Sequence, residues 1–201
     1  INKPHIKKVI SSSSINFLFR IFGLGTSFLI VLVISRFFGV VNYGSYSLTF
    51  TIAQAAAMIF GLGIPNALIM LTGNKNFNEI QAKKLLFKGL KITLFFSIIP
   101  SVLFYSCSNY IASALFHNTS LNHFFEIVAF TIPFFILHEL FLYYFISVKK
   151  FISYNIFMFV LPNLFLIFFL FLFKFMSKTD YYTFLAFTLS IIGIVLIEFI
   201  W

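Results

Sequence analysis

Charged residues are scarce in this sequence, and acidic residues are the scarcest of them. Only 9% of the 201 residues are charged, with 5 Asp or Glu against 14 Lys or Arg. Soluble domains contain about 25% charged residues, so the composition excludes an ordinary soluble domain. The single cysteine, Cys107, excludes an intramolecular disulfide and any metal site built from several cysteines.

Apolar residues make up 61% of the chain, and the mean hydropathy is +1.03. They form runs of the length that a helix needs to cross a hydrocarbon layer of about 30 Å, without the alternation of a membrane barrel. We therefore predict an all-α integral membrane protein, a bundle of about six transmembrane helices forming one unit over residues 1–201. The predicted spans are 12–35, 45–71, 86–107, 124–147, 152–173 and 181–201.

The segments between the predicted spans are too short to hold a soluble domain, and none carries a motif for ATP or another cofactor. We therefore predict no cofactor and no metal. The chain begins at Ile1 without a methionine and ends at Trp201 inside an apolar run. We expect it to be a fragment whose function needs further parts.

Basic residues in short loops indicate the orientation, because they remain on the cytoplasmic side. With a cytoplasmic N-terminus, ten basic residues fall inside and three outside. The inside set is Lys3, Lys7, Lys8, Lys75, Lys83, Lys84, Lys88, Lys91, Lys149 and Lys150, and the outside set is Arg36, Lys174 and Lys178. This topology explains most of the net charge of +9, and we predict no nucleic-acid partner.

The first predicted span carries a polar face, because Asn16, Arg20, Gly23 and Ser27 are spaced to share one side of a helix. An arginine inside a membrane costs about 2.5–3.5 kcal/mol on insertion scales and often marks a substrate path. Two explanations stay open at this stage. Arg20 lines a polar cavity, or it reaches to lipid phosphates or pairs with a carboxylate.

The second predicted span has a similar stripe that includes Gln54 and ends at Pro65. A buried amide in a membrane needs hydrogen-bond partners, so Gln54 is a candidate cavity residue. Pro65 and Asn66 predict a kink and its polar neighbour near the end of this span. Small residues elsewhere in the span favour close helix packing.

The fourth predicted span contains the sequence "ILHEL", with His138 followed by Glu139. A zinc protease helix would need a second histidine four residues after the first, and that position holds Leu142. The strongest enzyme hypothesis is thereby removed. Intramembrane carboxylates serve proton relays, so Glu139 is a candidate for ion coupling, and a neutralising partnership with Arg20 is the alternative.

Residues 10–71 resemble the first two helices of the polysaccharide biosynthesis membrane proteins. These are Wzx-type flippases, including O-antigen flippases, of the multidrug, oligosaccharidyl-lipid and polysaccharide exporter superfamily. The resemblance lies in Arg20 before Gly23, then in "SRFFGVVNYGSYSL", which holds Arg36, Gly39 and Gly44, and then in "GLGIPNAL". The remainder of the chain agrees in helix rhythm and in its basic turn "VKKFISYN".

This resemblance implies a transporter of two six-helix lobes, of which this chain is the amino-terminal lobe. It would move a polyprenyl-diphosphate-linked oligosaccharide, such as a repeat unit of O-antigen, capsule or exopolysaccharide, across the plasma membrane by alternating access. Membrane lipids, polysaccharide polymerases and glycosyltransferases are the implied partners, and we expect a monomer. The chain would perform no covalent chemistry.

Arg20 is the first candidate for a diphosphate contact, because an arginine stays charged and pairs with phosphate through two hydrogen bonds. Asn16, Ser27 and Gln54 are candidates for hydrogen bonds to sugar or phosphate. Arg36, Gly39 and Gly44 are expected to form the outer turn. Two alternatives stay open: a multidrug or toxic-compound exporter of the same superfamily, and a membrane enzyme or scaffold of polysaccharide assembly.

Overall fold

A computed structural model describes residues 3–72, 78–176 and 182–201, with side chains from residue 14 onward, Met176 excepted. This part of the chain forms helices and no strands. The helices are α1 (Lys3–Phe37), α2 (Val40–Phe60), α3 (Ile64–Thr72), α4 (Glu79–Tyr110), α5 (Asn122–Ser147), α6 (Phe151–Asn155), α7 (Leu161–Met176) and α8 (Tyr182–Ile200). The side chains of Lys3, Lys7 and Lys8, and all of Lys75 and Lys178, lie outside the described residues.

Five helical segments are long and apolar enough to cross a membrane, and the bent pair α2–α3 makes a sixth. The five are Ser14–Phe37, Glu79–Leu115, Thr119–Ser147, Phe151–Phe175 and Tyr182–Ile200. Two of them contain a π-helical turn, Ile111–Leu115 after α4 and Ile156–Val160 between α6 and α7. The predicted all-helical fold with six spans is confirmed, and the chain is a multi-pass membrane protein.

The kink expected in the second span is present, and it lies slightly before Pro65. Helices α2 and α3 are bent by 54° at the break between them. Leu62 and Gly63 have φ angles of 52° and 67°, which end α2, and Pro65 then occupies the first turn of α3. A proline is tolerated there because a first-turn N–H has no helical acceptor.

Helix α5 forms the centre of the bundle and packs against α2, α3, α4 and α8. Most of its residues are buried, including the fully buried Phe125, Ile132, Ile136 and Leu140. Helix α1 lies at the side, in contact with α2, α7 and the π-helical turn between α6 and α7. Many large apolar side chains remain exposed, as on a surface that faces lipid.

Candidate functional site

The polar face of α1 divides into a packed part and an exposed part. The amide of Asn155 donates to the side-chain oxygen of Asn16, and the amide of Asn163 donates to the Gly23 carbonyl at 3.2 Å. Asn163 also donates to the Thr26 hydroxyl at 2.7 Å. These bonds fix α1 against α6 and α7. Two asparagines distant in sequence therefore take up part of the face that the sequence suggested for a cavity.

Gly23 permits this close approach of α1 to the π-helical turn. A Cβ atom placed on Gly23 would lie 3.1 Å from the Cβ of Phe159, closer than nearly all contacts of real Cβ atoms. The small residue thus has a packing role, as is common where membrane helices approach each other.

Arg20 differs from its neighbours on this face because its side chain is exposed. No ion pair in the described part of the chain includes Arg20, and Glu139 is not bonded to it. Its charge acts on the phenol of Tyr154, which lies on the neighbouring α6. Arg20 is therefore a permanent cation without an internal counterion among the described residues, available to an anionic group outside the helix bundle.

An apolar pocket of about 490 Å³ lies on the same stretch of α1. It is lined by Ile15, Leu18, Phe19, Phe22 and Val160. Arg20 therefore lies within the length of α1 that forms this pocket. Arg20 is not among the lining residues, because at about 100° per residue it points roughly 140° away from the side of α1 that lines the pocket.

The other two candidates for cargo contact are also exposed. Ser27 lies beyond Arg20 on α1, with its hydroxyl 3.4 Å from the Asn163 amide. Gln54 lies on an exposed side of α2. No hydrogen bond joins Arg20, Ser27 and Gln54 within the described residues.

The turn between α1 and α2 uses one of the two glycines proposed for it. Gly39 precedes α2 with φ 97°, a conformation that glycine adopts readily and other residues rarely. Gly44 lies within α2 and not in the turn, and open space surrounds the position of its absent Cβ. Arg36 is exposed in the last turn of α1, where a cation interacts favourably with the helix dipole.

The carboxylate proposed for ion coupling, Glu139, is half-buried and has no hydrogen bond or ion pair in the described part of the chain. The preceding residue, His138, is buried and contacts a carboxylate that the sequence did not suggest. Its Nδ1 lies 2.9 Å from Oε1 of Glu198 on α8. The side chains of His138 and Glu198 are 7% and 0% exposed.

The sequence does not predict the pair of His138 and Glu198, because the two residues are 60 positions apart and no local motif joins them. The spacing of Glu198 along α8 does indicate that it lies on the buried face of this helix. Glu198 is spaced to share a face with Ile191, Ile194 and Val195, all of which are buried. A lone carboxylate in phase with the buried face of a membrane helix requires a partner on another helix.

Glu126 forms a different kind of pair near the beginning of α5. Its carboxylate oxygens lie 3.0 Å from the Asn122 amide and 3.0 Å from His123 Nδ1. The side chain of His123 is 72% exposed. Neither Glu126 nor Glu139 is bonded to Arg20, so nothing in the described residues joins a carboxylate to the polar face of α1.

A pocket of about 420 Å³ lies at the end of the lobe where α4 begins and α5 and α8 end. Its rim carries Asn78, Glu79, Lys83 and Lys150, all exposed. Glu79 and Lys150 form an ion pair of 2.8 Å across it. Glu198 lines the same pocket from a buried position.

The described residues contain no group of three potential ligands that could hold a metal ion. Arg20 can bind an anion, and the pair of His138 and Glu198 can hold a proton. A family model described as "Polysaccharide biosynthesis protein" matches residues 6–201. No curated protein and no solved structure matches the chain.

Proposed function

Because the chain belongs to the polysaccharide biosynthesis protein family, we propose that it is a lobe of a flippase for lipid-linked oligosaccharide. The cargo is a polyprenyl-diphosphate-linked repeat unit of a surface polysaccharide. The transporter moves it from the cytoplasmic to the outer leaflet of the plasma membrane by alternating access. The lobe is the amino-terminal one of two, and its N-terminus is cytoplasmic.

The observation that carries this proposal is the exposed, unpaired Arg20 on a membrane-spanning helix. Placing an unpaired charge in the hydrocarbon layer costs free energy, and this holds for Arg20 and for the diphosphate of the cargo. An ion pair between Arg20 and the diphosphate lowers both costs while the head group crosses. The guanidinium suits this role, because it remains charged at any cellular pH and binds phosphate oxygens in pairs.

The apolar pocket on α1 supports a lipid-linked cargo over a soluble one, and it lies on a different side of the helix from Arg20. Its lining offers carbon atoms to a prenyl chain. Ser27 and Gln54 are exposed hydroxyl and amide groups on adjoining helices, suited to hydrogen bonds with sugar or phosphate.

The substitution Arg20→Ala tests the diphosphate contact. A hydrogen bond to a charged group contributes about 1.5–3 kcal/mol, so we expect binding about tenfold to a hundredfold weaker. Arg20→Lys keeps the charge without the two-pronged geometry and should lie in between. Arg36→Ala is the matched control, because it removes an exposed arginine from the same helix, about 24 Å away at 1.5 Å per residue.

Binding is measured with purified protein and a fluorescent polyprenyl-diphosphate oligosaccharide, and function by surface polysaccharide in cells that depend on the protein. Unchanged binding and export in Arg20→Ala would refute the diphosphate contact. Export of cationic compounds that is insensitive to Arg20 would favour the multidrug alternative. Elongation of the sugar chain by the purified protein, seen on a gel, would favour the enzyme alternative.

A further inference from the structure

The carboxyl group of Glu198 is only half satisfied. Oε1 is hydrogen-bonded to Nδ1 of His138, whereas Oε2 is buried and has no partner among the described residues. Buried polar atoms in proteins nearly always have a hydrogen-bond partner, so a free carboxylate oxygen in a membrane-spanning helix needs an explanation. Packing gives none, because an apolar side chain would fill the same space at lower cost.

The position of Glu198 connects this buried group to solvent. The pocket that it lines has an exposed rim of polar and charged residues, and its interior is formed by buried side chains such as Leu86, Phe141 and Tyr144. A pocket of about 420 Å³ is large enough for several water molecules. The rim lies at the end of the lobe that the lysine distribution assigns to the cytoplasm.

The charged and titratable groups around Glu198 come from three sides. On α5 these are His138, the adjacent Glu139 and Tyr144, which lines the pocket. At the rim, α4 contributes Glu79 and Lys83, and the segment after α5 contributes Lys150. The other helices packed on α8 place their titratable groups elsewhere: Tyr46 of α2 contacts Phe184 and Phe187, and Lys174 of α7 lies over Phe37.

A proton fits this site better than a metal ion. One carboxylate and one imidazole provide too few ligands for a typical metal site, and the described residues contain no third acidic, histidine or cysteine ligand in reach. A proton needs only one free lone pair, and Oε2 of Glu198 provides it, because this atom has no hydrogen-bond partner among the described residues.

We propose that Glu198, hydrogen-bonded to His138, is a proton-binding site that exchanges protons with the cytoplasmic solution through this pocket. In the deprotonated state the pair consists of a carboxylate and a neutral imidazole. A proton delivered by water adds to the carboxylate, and the charge of the pair rises from −1 to zero. Its role as the coupling ion of transport rests on the proposed function above.

Protonation acts on the contact between α5 and α8. The buried hydrogen bonds across this contact include that of His138 with Glu198 and that between the hydroxyls of Thr131 and Thr188 at 2.7 Å. Protonation changes the bond between His138 and Glu198, because it removes the carboxylate charge that strengthens this bond. It does not change the bond between the two threonines. Proton binding thus weakens the contact at the pocket end and leaves the threonine pair in place.

Infrared difference spectroscopy tests the site directly, with the protein reconstituted in vesicles and compared between acidic and alkaline buffer. A protonated carboxyl group has a C=O stretching band that a carboxylate lacks. We expect this band in the native protein and its loss in Glu198→Gln. Glu126→Gln is the matched control, because it alters an exposed histidine–glutamate pair of similar geometry, and Glu139→Gln tests the neighbouring carboxyl; both should retain the band.

Glu198→Asp guards against loss of folding, since it keeps a carboxyl group and should retain the band with a shifted midpoint. A band that persists in Glu198→Gln, or that disappears only in Glu139→Gln, would overturn the proposal. So would abolition of the band by sodium ions at constant pH, which would identify a metal-ion site. The assay contains no cargo, so a failure of the flippase proposal leaves its result unaffected.

Discussion

The amide of Asn163 should contribute measurably to the packing of α1, and the substitution Asn163→Leu measures how much. The Asn163 nitrogen lies near four oxygens, of Thr26, Gly23, Phe159 and Ser27, at 2.7 to 3.4 Å. It carries two hydrogens, so about two of these contacts act at once. Leucine has a similar volume and removes both donors.

The expected loss follows from the value of hydrogen bonds between membrane helices, which averages about 0.6 kcal/mol and reaches about 1.7 kcal/mol. Two bonds therefore give about 1 kcal/mol, with an upper bound of about 3 kcal/mol. The acceptors left behind add little. The Thr26 hydroxyl keeps its own bonds, to the Phe22 and Gly23 carbonyls at 3.0 Å each.

Reversible unfolding in mixed micelles with a denaturing detergent gives the free energy of unfolding for each variant. Thr51→Val is the matched control. The Thr51 hydroxyl is exposed and bonds only to the Ser47 carbonyl of its own helix, so its loss should change stability by less than about 0.5 kcal/mol. Equal stability of native protein and Asn163→Leu would refute the assignment of this amide as a link between α1 and α7.

Two further predictions concern the glycines Gly39 and Gly44 and the ion pair of Glu79 with Lys150. Gly39→Ala forces a side chain into φ 97° and should lower the free energy of unfolding by about 1–2 kcal/mol, whereas Gly44→Ala, within α2 and in open space, should raise it by about 0.5–1 kcal/mol in the same unfolding assay. The hydrogen bond that Lys150 donates to the Glu79 carboxylate raises the pKa of Lys150, so the stability from this pair is complete at neutral pH and is lost as pH rises through the raised value. Glu79→Gln should abolish that alkaline loss, and added salt should reduce it, in unfolding measured across alkaline pH.

The number and places of the spans could be predicted because the length of an apolar run is a local property of the chain. The membrane thickness sets that length, and each predicted span corresponds to a helix or bent pair in the structure. The bend in the second span was also signalled locally, by Pro65. The exact break was not, because it depends on the backbone conformation of Leu62 and Gly63.

The partners of polar residues could not be predicted, because they depend on which helices become neighbours. The sequence makes Asn16 a candidate cavity residue, but in the structure its side chain is hydrogen-bonded to Asn155, 139 positions later in the chain. No local motif marks Glu198, and only the packing of α8 on α5 brings it to His138. Helical spacing indicates which residues share a face, but not what that face meets.

Arg20 and Glu198, the two strongest candidates for functional residues, differ in burial, and this difference separates their roles. Arg20 is a cation on a peripheral helix and is exposed, so its counterion must come from outside the described lobe. Glu198 is a buried carboxyl group on α8, which packs on the central α5, so any negative charge on it must be met within the protein or removed by a proton. A group that binds cargo needs the first environment, and a group that stores a proton needs the second. The separation is measurable: Arg20→Ala should weaken cargo binding and leave the carboxyl band of Glu198 unchanged.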